Sequence, residues 1–392
     1  MNGENATLPA DPWVPPRWLA GLLSAVQFLI VIAGSGVCMY LVGRGLVLDV
    51  DFRIFVALAT TLVFYFAAIA IHETGHAFAA RAAGMTLVRG AFFHWQCVFS
   101  RRGWRWRRRG SQRTPSAFVM AWPDPARALR PQMLWFVSGG VLANLASASV
   151  LALLGSWVPA PANGFMLGFA VLHLELAVIN ALPMVSGCPT DGLNFLAWWR
   201  RDFEQHPAAQ CMRLLGRSIT GTTADQLPDG EVAALAKGRD GVQLIHGWIV
   251  MKAAQNRGEW QKAAEAGDRL DAAIAALPAP AVAANKDFRW QVALETAFFR
   301  SLVAGSPDAM RQIPFNANGD WFAPHLWPRC QALIAAFDGD TAARDLLLVE
   351  SQRHAEDSID RALPISEAGL TDAVVTLRGL TGEQASSNGN VL

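Results

Sequence analysis

Four long apolar runs in the first half of the chain constrain its fold more than any other feature. The run Trp18–Val42 carries no charged residue, and Ile54–Ile71, Met133–Val158 and Phe165–Met184 follow it. A helix needs roughly 20 apolar residues to cross the hydrocarbon core of a bilayer, so each run predicts a membrane span. The first run is too long for the apolar part of a signal peptide, and no small-residue cleavage site closes it. The predicted fold is therefore mainly α, with a polytopic bundle of four membrane-spanning helices.

The composition agrees with this picture. Charged residues make up 17% of the chain, against about 25% in a soluble globular protein. The mean hydropathy of +0.24 argues against disorder. A formal net charge of +1 argues against a nucleic-acid partner. The five cysteines form no CxxC pair, which argues against a disulfide scaffold and against a cysteine zinc ribbon.

The loop between the second and third runs, residues 85–130, is strongly basic. It holds ten arginines and a single acid, Asp124. Loops rich in Lys and Arg remain in the cytoplasm, so this loop and, with four spans, both termini are predicted to be cytoplasmic. We expect a multi-pass protein of the cell membrane, specifically the inner membrane of a bacterium.

Two segments of this loop have a recognisable pattern. Arg101–Arg109 interleaves arginine with tryptophan, which is typical either of an anionic or nucleic-acid partner or of a segment held at anionic lipid. We favour the contact with the lipid bilayer. Val88–Phe99 is rich in aromatic and β-branched residues and predicts a short hairpin with Ala117–Trp122. The exposed edge of such a hairpin could hold a substrate by strand addition.

The second half of the chain has a different composition. Residues 200–392 contain 19 Lys and Arg against 24 Asp and Glu, and no run is long enough to span. Helix breaks with glycine at 258, 305 and 339 resemble the turns of tetratricopeptide-like hairpins, although an ordinary helical bundle fits as well. The predicted organisation is a cytoplasmic tail (1–17), a membrane-embedded domain (18–199), a cytoplasmic helical domain (200–380) and a disordered tail (381–392).

The second apolar run leads directly into His72-Glu73-Thr-Gly-His76, which fits the pattern H-E-x-x-H. Positions i and i+4 share one face of a helix, so both imidazoles can reach one metal ion. Neutral imidazole is a good ligand for Zn²⁺, and we predict one zinc ion as the cofactor. Glu73 is the predicted general base for a water held by the metal. The competing interpretation is two histidines that meet core partners, but polar residues in a membrane span are costly and tend to be functional.

The third metal ligand follows by elimination. Ala82 occupies the position at which a metzincin-type extension needs histidine, and the next acids are Asp124, Glu175 and Asp191. Asp124 lies between two prolines in the basic loop and is typical of a turn. Glu175 lies deep inside the fourth span. Asp191 follows the break at Pro183–Gly187, on the same side of the membrane as the two histidines, and is the predicted ligand.

Three motifs, in this order, resemble the site-2 protease family of intramembrane zinc metalloproteases. They are the H-E-x-x-H of 72–76, the glycine-rich element Ser138-Gly-Gly-Val-Leu-Ala-Asn144, and the N-x-x-P and D-G pair at Asn180–Pro183 and Asp191-Gly192. The resemblance covers about residues 54–195. The seven residues between Pro183 and Asp191 exceed the family's commonest spacing. The resemblance implies zinc, hydrolysis of a peptide bond and a membrane-spanning protein substrate.

Several residues around these motifs are predicted to support the site. Asn144 is expected to bind the substrate backbone or oxyanion, or to make a hydrogen bond between helices. Asn180 is expected to hold substrate or to cap local backbone. Pro183 breaks a helix at membrane depth, where irregular backbone must line a cavity or be buried in protein. His173 is expected to be a buried, hydrogen-bonded histidine rather than a partner of the site.

The sequence thus favours an intramembrane zinc endopeptidase that cuts in or near a transmembrane segment of its substrate. Two alternatives stay open. One is a membrane-anchored helical-repeat scaffold with a silent metal site. The other is a zinc peptidase that takes soluble peptides from the cytoplasm. In each case residues 200–392 are expected to bind a protein partner or to gate access.

Overall fold

The computed structural model of the chain describes residues 14–46, 48–109, 117–186, 188–239 and 241–387. These residues divide into two compact units. The first takes the residues up to Cys97, then 107–109 and 117–206, and the second takes 98–106 and 207–387. The division falls close to the predicted boundary after residue 199, except that part of the basic loop belongs to the second unit. Most of the predicted N-terminal tail, residues 1–13, lies outside the described residues.

Four helices of the first unit are long and apolar enough to cross a membrane, as the four apolar runs predict. They are α1 (Arg17–Arg44), α2 (Val50–Ala82), α3 (Leu129–Trp157) and α4 (Ala162–Ala181). At 1.5 Å per residue even α4, with 20 residues, is about 30 Å long, which matches the hydrocarbon core of a bilayer. Large apolar side chains such as Phe28 and Leu62 are 64% and 54% exposed. An apolar surface of this kind suits lipid rather than water.

The apolar helices contact one another through small residues. A methyl group on Gly164 of α4 would lie 2.3 Å from the carbonyl oxygen of Leu41 in α1, and one on Gly168 would lie 3.2 Å from Cys38 Sγ. Lipid chains are as apolar as leucine, so helices in a membrane gain stability from close contact of their backbones. Glycine at these two positions allows that contact.

The basic loop forms a four-stranded sheet, where the sequence predicted a hairpin. Its strands are β1 (Thr86–Phe92), β2 (Trp95–Ser100), β3 (Gly103–Arg108) and β4 (Ala117–Trp122), in the order β3-β2-β1-β4. The predicted pairing of Val88–Phe99 with Ala117–Trp122 is confirmed for β1, which runs antiparallel to β4 with Gly90 opposite Val119. In the part of the chain that the structure describes, β4 is an edge of this sheet. A short strand pair, β5 (Val185–Ser186) and β6 (Cys188–Pro189), precedes α5 (Asp191–Trp199).

The second unit is helical. Its helices are α6 (Pro207–Thr220), α7 (Asp229–Leu235), α8 (Gly241–Asn256), α9 (Trp260–Ala275), α10 (Ala279–Ala284), α11 (Lys286–Ala304), α12 (Asp308–Arg311), α13 (Ala317–Phe322), α14 (Leu326–Phe337), α15 (Thr341–Asp357) and α16 (Leu363–Ser387). Gly258, Gly305 and Gly339 follow α8, α11 and α14 with φ of 71°, 66° and 78°, a backbone conformation that favours glycine. These glycines therefore end helices as the sequence predicted. The tetratricopeptide-like repeat stays a prediction.

The last described helix extends into the predicted C-terminal tail. Helix α16 continues to Ser387, into the segment 381–392 that was predicted to be disordered. No proline follows Pro364, so nothing in the sequence removes a hydrogen bond from the helix. Residues 388–392 of the predicted tail lie outside the described residues.

The arginine-rich segment is a folded part of the protein. Within the second unit, the backbone amide of Arg101 donates to the carbonyl of Asp357 (2.8 Å), and that of Arg102 donates to the Asp357 carboxylate (3.0 Å). The Arg105 guanidinium donates to the carbonyl of Trp321 (3.1 Å). The sequence did not predict that these arginines contact α13 and α15. Contact of the segment with lipid stays a prediction.

A buried ionic network crosses the core of the helical unit. The Arg329 guanidinium, which is fully buried, pairs with the carboxylates of Glu295 and Glu367. Lys252 Nζ lies 2.8 Å from Glu295, and the Ser351 hydroxyl donates to Glu367 (3.1 Å). Burial raises the pKa of Glu295, but Arg329 and Lys252 lower it by more, so that the pKa is about 2. The core thus contains charges that are stable only together.

We predict that Arg329→Leu strongly destabilises the protein, because two buried carboxylates would lose their partner. Breaking a buried pair on one side costs about 3–5 kcal/mol. The matched control is Arg311→Leu, which removes an exposed pair with Asp338 and should cost less than about 1 kcal/mol. Thermal unfolding of the purified full-length chain, followed by tryptophan fluorescence, measures both. Equal shifts of the two midpoints would contradict the prediction.

Candidate metal centre

Helix α2 presents its two motif histidines on one face. His72 and His76 are one helical turn apart and buried, and their Nε2 atoms lie 3.2 Å from each other. Asp191, the first residue of α5, completes the cluster. Its Oδ2 lies 3.0 Å from Nε2 of His72 and 3.3 Å from Nε2 of His76. Two donor atoms from α2 and one from the distant helix α5 thus lie close together.

The donor set and its spacing fit a zinc ion. Tetrahedral ligands at roughly 2.0–2.1 Å from Zn²⁺ are about 3.3 Å apart, close to the separations among these three atoms. Asp191 Oδ2 is buried, and its polar contacts are with the two imidazoles. Burial raises the pKa of Asp191, but the adjacent imidazoles lower it by more, so that the pKa is about 2 and the carboxylate stays ionised. Two imidazoles and one carboxylate leave a fourth position open, as catalytic zinc sites do.

The backbone of α3 orients His76. Its Nδ1 lies 2.7 Å from the carbonyl oxygen of Phe136. A carbonyl oxygen can only accept, so Nδ1 carries the proton and Nε2 keeps its lone pair. This is the tautomer that a ligand binding through Nε2 needs.

A side chain of α3 contacts the other histidine. Asn144 is fully buried, and its amide lies 3.1 Å from Nδ1 of His72. On its other side the same amide lies 2.9 Å from Nδ1 of His173 in α4. Asn144 therefore makes the interhelical hydrogen bonds that the sequence analysis considered. His173 is buried and hydrogen-bonded, as expected, and the two residues link three helices behind the metal ligands.

Glycines allow α2 and α3 to approach closely enough for these contacts. A methyl group on Gly75 would lie 2.4 Å from the carbonyl oxygen of Gly139, and one on Gly139 would lie 2.6 Å from the Ala79 methyl. A methyl group on Gly140 would lie 2.5 Å from ring atoms of both His72 and His76. The glycine-rich element thus leaves room for the imidazoles themselves.

The turn before α5 fixes the position of Asp191. The Thr190 hydroxyl donates to the carbonyl of Leu182 (2.6 Å) and accepts from the amides of Met184 and Leu193. Thr190 thereby caps α5 and ties its first residue to the end of α4. Gly192 is required because a methyl group there would lie 1.9 Å from the carbonyl oxygen of Ala181.

Glu73 lies beside the cluster rather than within it. Its side chain is partly buried, and the backbone amide of Val119 in β4 is within hydrogen-bond reach of its carboxylate. Glu73 and both histidines line a cavity of about 520 Å³, together with Asp191 and residues of β4. A carboxylate next to an open metal position is suited to accept a proton from water.

The remaining candidate residues fall on different sides of the cluster. Asn180 lines the same cavity and donates to the carbonyl of Leu176 (2.9 Å). Pro183 lies at the break after α4 and lines an adjoining apolar cavity of about 430 Å³ behind Asp191. Asp124 pairs with Arg127 at 3.4 Å, as its interpretation as a turn residue predicts. Glu175 is buried against Gly34 of α1, away from the histidines.

Some residues of the site were not found from the sequence. Thr190 carries a signal that was available, since a threonine before Asp191 at the start of a helix is typical of an N-cap. Gln27 of α1 and Tyr65 of α2 also line the cavity. A polar residue inside an apolar run is the signal for these two. The carbonyl of Phe136 has no signal, because a backbone acceptor is present at every position.

Comparison with known proteins adds no relative: no protein-family model, no curated protein and no solved structure matches this chain. The chemistry of the site therefore has to be argued from its own residues.

We predict that Gly140→Ala weakens binding of Zn²⁺ by at least about tenfold, because the new methyl group displaces both imidazoles. Gly36→Ala is the control, since a methyl group at that position of α1 meets no atom within 4 Å. Metal analysis of the purified proteins and competition with a chromophoric chelator measure the effect. Undiminished zinc binding by the Gly140 variant would contradict the geometry proposed for the ligands.

Proposed function

We propose that the protein is a membrane-embedded zinc endopeptidase that hydrolyses a peptide bond in or near a transmembrane segment of another protein. The observation that carries the proposal is the convergence of His72, His76 and Asp191, with Glu73 beside them in one cavity. This combination of a three-ligand site and an adjacent carboxylate is the chemistry of metal-dependent peptide hydrolysis. The resemblance to the site-2 protease family supports the same reaction.

The depth of the site supports a substrate at the membrane. His72 is the twenty-third residue of α2, about 33 Å from the start of the helix, and the run Ile54–Ile71 precedes it directly. The site would therefore lie at the end of the apolar segment, next to the basic loop. With the loop in the cytoplasm, as the excess of arginine predicts, cleavage would occur at the cytoplasmic side. The inner membrane of a bacterium is the location we propose.

The residues of the chain would divide the reaction among them. His72, His76 and Asp191 would hold the metal. When bound, Zn²⁺ would lower the pKa of water and polarise the substrate carbonyl. Glu73 would take a proton from the attacking water and then deliver it to the nitrogen of the leaving amine, which balances the hydrolysis. The buried surroundings of Glu73 would keep other water away from that proton.

Strand β4 is suited to hold the substrate. A helical peptide bond is shielded by its own backbone, so the substrate must unwind before it can be cut. The amide of Val119 points towards Glu73 and hence away from β1. Alternate residues of a strand turn their backbone groups to the same side, so Ala117 shares this outward side. An unwound segment could therefore pair with β4 beside the metal, by strand addition.

We predict that Glu73→Gln retains one zinc ion per chain but loses cleavage, because the amide cannot accept the proton. His72→Ala should lose both, because a ligand is missing. Metal analysis and cleavage of a reconstituted single-span substrate measure the two properties. Undiminished proteolysis by the purified Glu73→Gln protein would defeat the proposed mechanism.

Proline on β4 tests the strand-addition step. We expect Ala117→Pro to reduce cleavage of an unwound membrane segment by about tenfold or more, because the outward N–H is lost. Zinc content should not change, since residue 117 is not a ligand. Ala117→Val keeps the N–H and serves as the control. Equal cleavage rates for the proline and valine variants would remove strand addition from the proposal.

Two other proposals predict different results. A zinc peptidase for soluble peptides would cut a short cytoplasmic peptide as fast as a membrane-embedded one. A scaffold with a silent site would cut neither and would serve through the helical unit, which we propose binds a protein partner. Fragments that accumulate in wild-type cells, but not in cells with the Glu73→Gln protein, would identify the substrate.

A further inference from the structure

Two polar side chains inside the helix bundle, Asn144 and His173, extend from the proposed ligand His72 and have no direct part in the proposed reaction. Asn144 stands between two imidazoles, 3.1 Å from Nδ1 of His72 and 2.9 Å from Nδ1 of His173. Both Asn144 and His173 are fully buried, and neither lines the cavity that contains Glu73. A polar chain of this kind is costly inside an apolar bundle unless it has a role.

The end of the chain beside the cluster has a defined requirement. His72 faces His76 and Asp191 through Nε2, so Nε2 is the nitrogen that would bind a metal. A neutral imidazole that binds through Nε2 carries its proton on Nδ1 and must donate that proton to an acceptor. Nδ1 of His72 faces the amide of Asn144. The acceptor for a metal-bound His72 is therefore the amide oxygen of Asn144.

The described arrangement of the amide is the opposite one. Its nitrogen faces His72 and its oxygen faces His173. In this arrangement the amide would donate to Nδ1 of His72, and the proton of that ring would lie on Nε2, 3.0 Å from Asp191 Oδ2, where it would block a metal. A half-turn of the amide exchanges its two ends with little change in shape. The oxygen then accepts from His72, and the nitrogen donates to Nδ1 of His173.

We propose that Asn144 and His173 are positioning residues that select the metal-binding tautomer of His72. This inference rests on the proposed zinc site. The amide oxygen of Asn144 would accept the Nδ1 proton of metal-bound His72, and the amide nitrogen would donate to Nδ1 of His173, whose own proton would then lie on Nε2. Each imidazole keeps one proton in both arrangements. His72, Asn144 and His173 thus form a relay that is neutral in both arrangements, and passage between them requires each ring to lose a proton at one nitrogen and gain one at the other.

The neighbouring ligand shows why His72 needs such a partner. His76 donates its Nδ1 proton to the carbonyl of Phe136 and is thereby restricted to one tautomer. An amide can both donate and accept, so it permits two tautomers of His72. His173 contributes a second imidazole with the same freedom, and its Nε2 is buried with no hydrogen-bond partner among the described residues. The relay ends at that atom.

Three variants test the relay in the full-length protein. Asn144→Leu removes every polar group and should weaken zinc binding by about 10- to 100-fold. Asn144→Asp keeps an oxygen that can accept the Nδ1 proton of His72. Its zinc affinity should therefore stay within a few-fold of wild type. His173→Phe keeps a ring but frees the amide, and should give an intermediate loss. Thr61→Val removes a buried hydroxyl of α2 that is outside the relay, and it is the control for general damage to the bundle.

The measurements are the zinc dissociation constant, from competition with a chelator, and the visible absorption spectrum of bound Co²⁺. The relay predicts an altered Co²⁺ spectrum in Asn144→Leu and restoration of the spectrum in Asn144→Asp. A purely structural Asn144 would leave the spectrum of the bound fraction unchanged, and aspartate would be no better than leucine. Zinc affinity equal to wild type in folded Asn144→Leu protein would overturn the proposal.

The outcome is separable from that of the proposed function. Wild-type protein that binds zinc with the predicted response to Asn144, but cuts no substrate, would leave the relay standing and defeat the protease. Cleavage by the wild-type protein, together with unaltered zinc binding in the Asn144 and His173 variants, would support the protease and overturn the relay. A wild-type chain that binds no divalent ion would overturn both.

Discussion

The contact between α2 and α3 is the constraint on which the site depends. Helices in lipid gain nothing from burying leucine, so they associate where small residues let their backbones meet. Gly75 and Gly139 provide that contact, and Gly140 leaves space for the rings of His72 and His76. The same approach brings the carbonyl of Phe136 within 2.7 Å of His76. The close packing of these two helices therefore sets both the position and the tautomer of His76, a proposed metal ligand.

Asp191, the proposed third ligand, is positioned by a break in the backbone and a helix cap. Asp191 cannot be presented by a regular membrane helix, because it follows the end of α4 in the sequence. The backbone breaks after Leu182, and Thr190 satisfies the freed groups with its hydroxyl while it caps α5. Irregular backbone at this depth is tolerated only where its polar groups are satisfied or face a cavity. The break and the cap together direct the carboxylate towards the two imidazoles.

The two units solve the problem of buried charge in contrasting ways. In the first, Asn144 and His173 continue from His72 as a chain of hydrogen bonds between groups that need carry no charge. In the second, Arg329 lies fully buried between Glu295 and Glu367, so opposite charges compensate each other. A compensated pair is stable in a helical core, whereas an amide between two imidazoles can donate to one ring and accept from the other. The first arrangement suits a functional site, and the second suits a fixed structure.

The sequence by itself determined the four apolar helices, the pair of histidines one turn apart, and the turns at Gly258, Gly305 and Gly339, because these depend on local periodicity and backbone preference. Elimination among few acids also selected Asp191, which the structure places beside the two histidines. Only the tertiary structure decided that β2 and β3 enlarge the predicted hairpin of β1 and β4 to a four-stranded sheet, that Arg105 contacts Trp321, and that Asn144 joins His72 to His173. Those contacts link residues that no local pattern relates, since a hydrogen bond between distant segments depends on how closely the helices and strands pack.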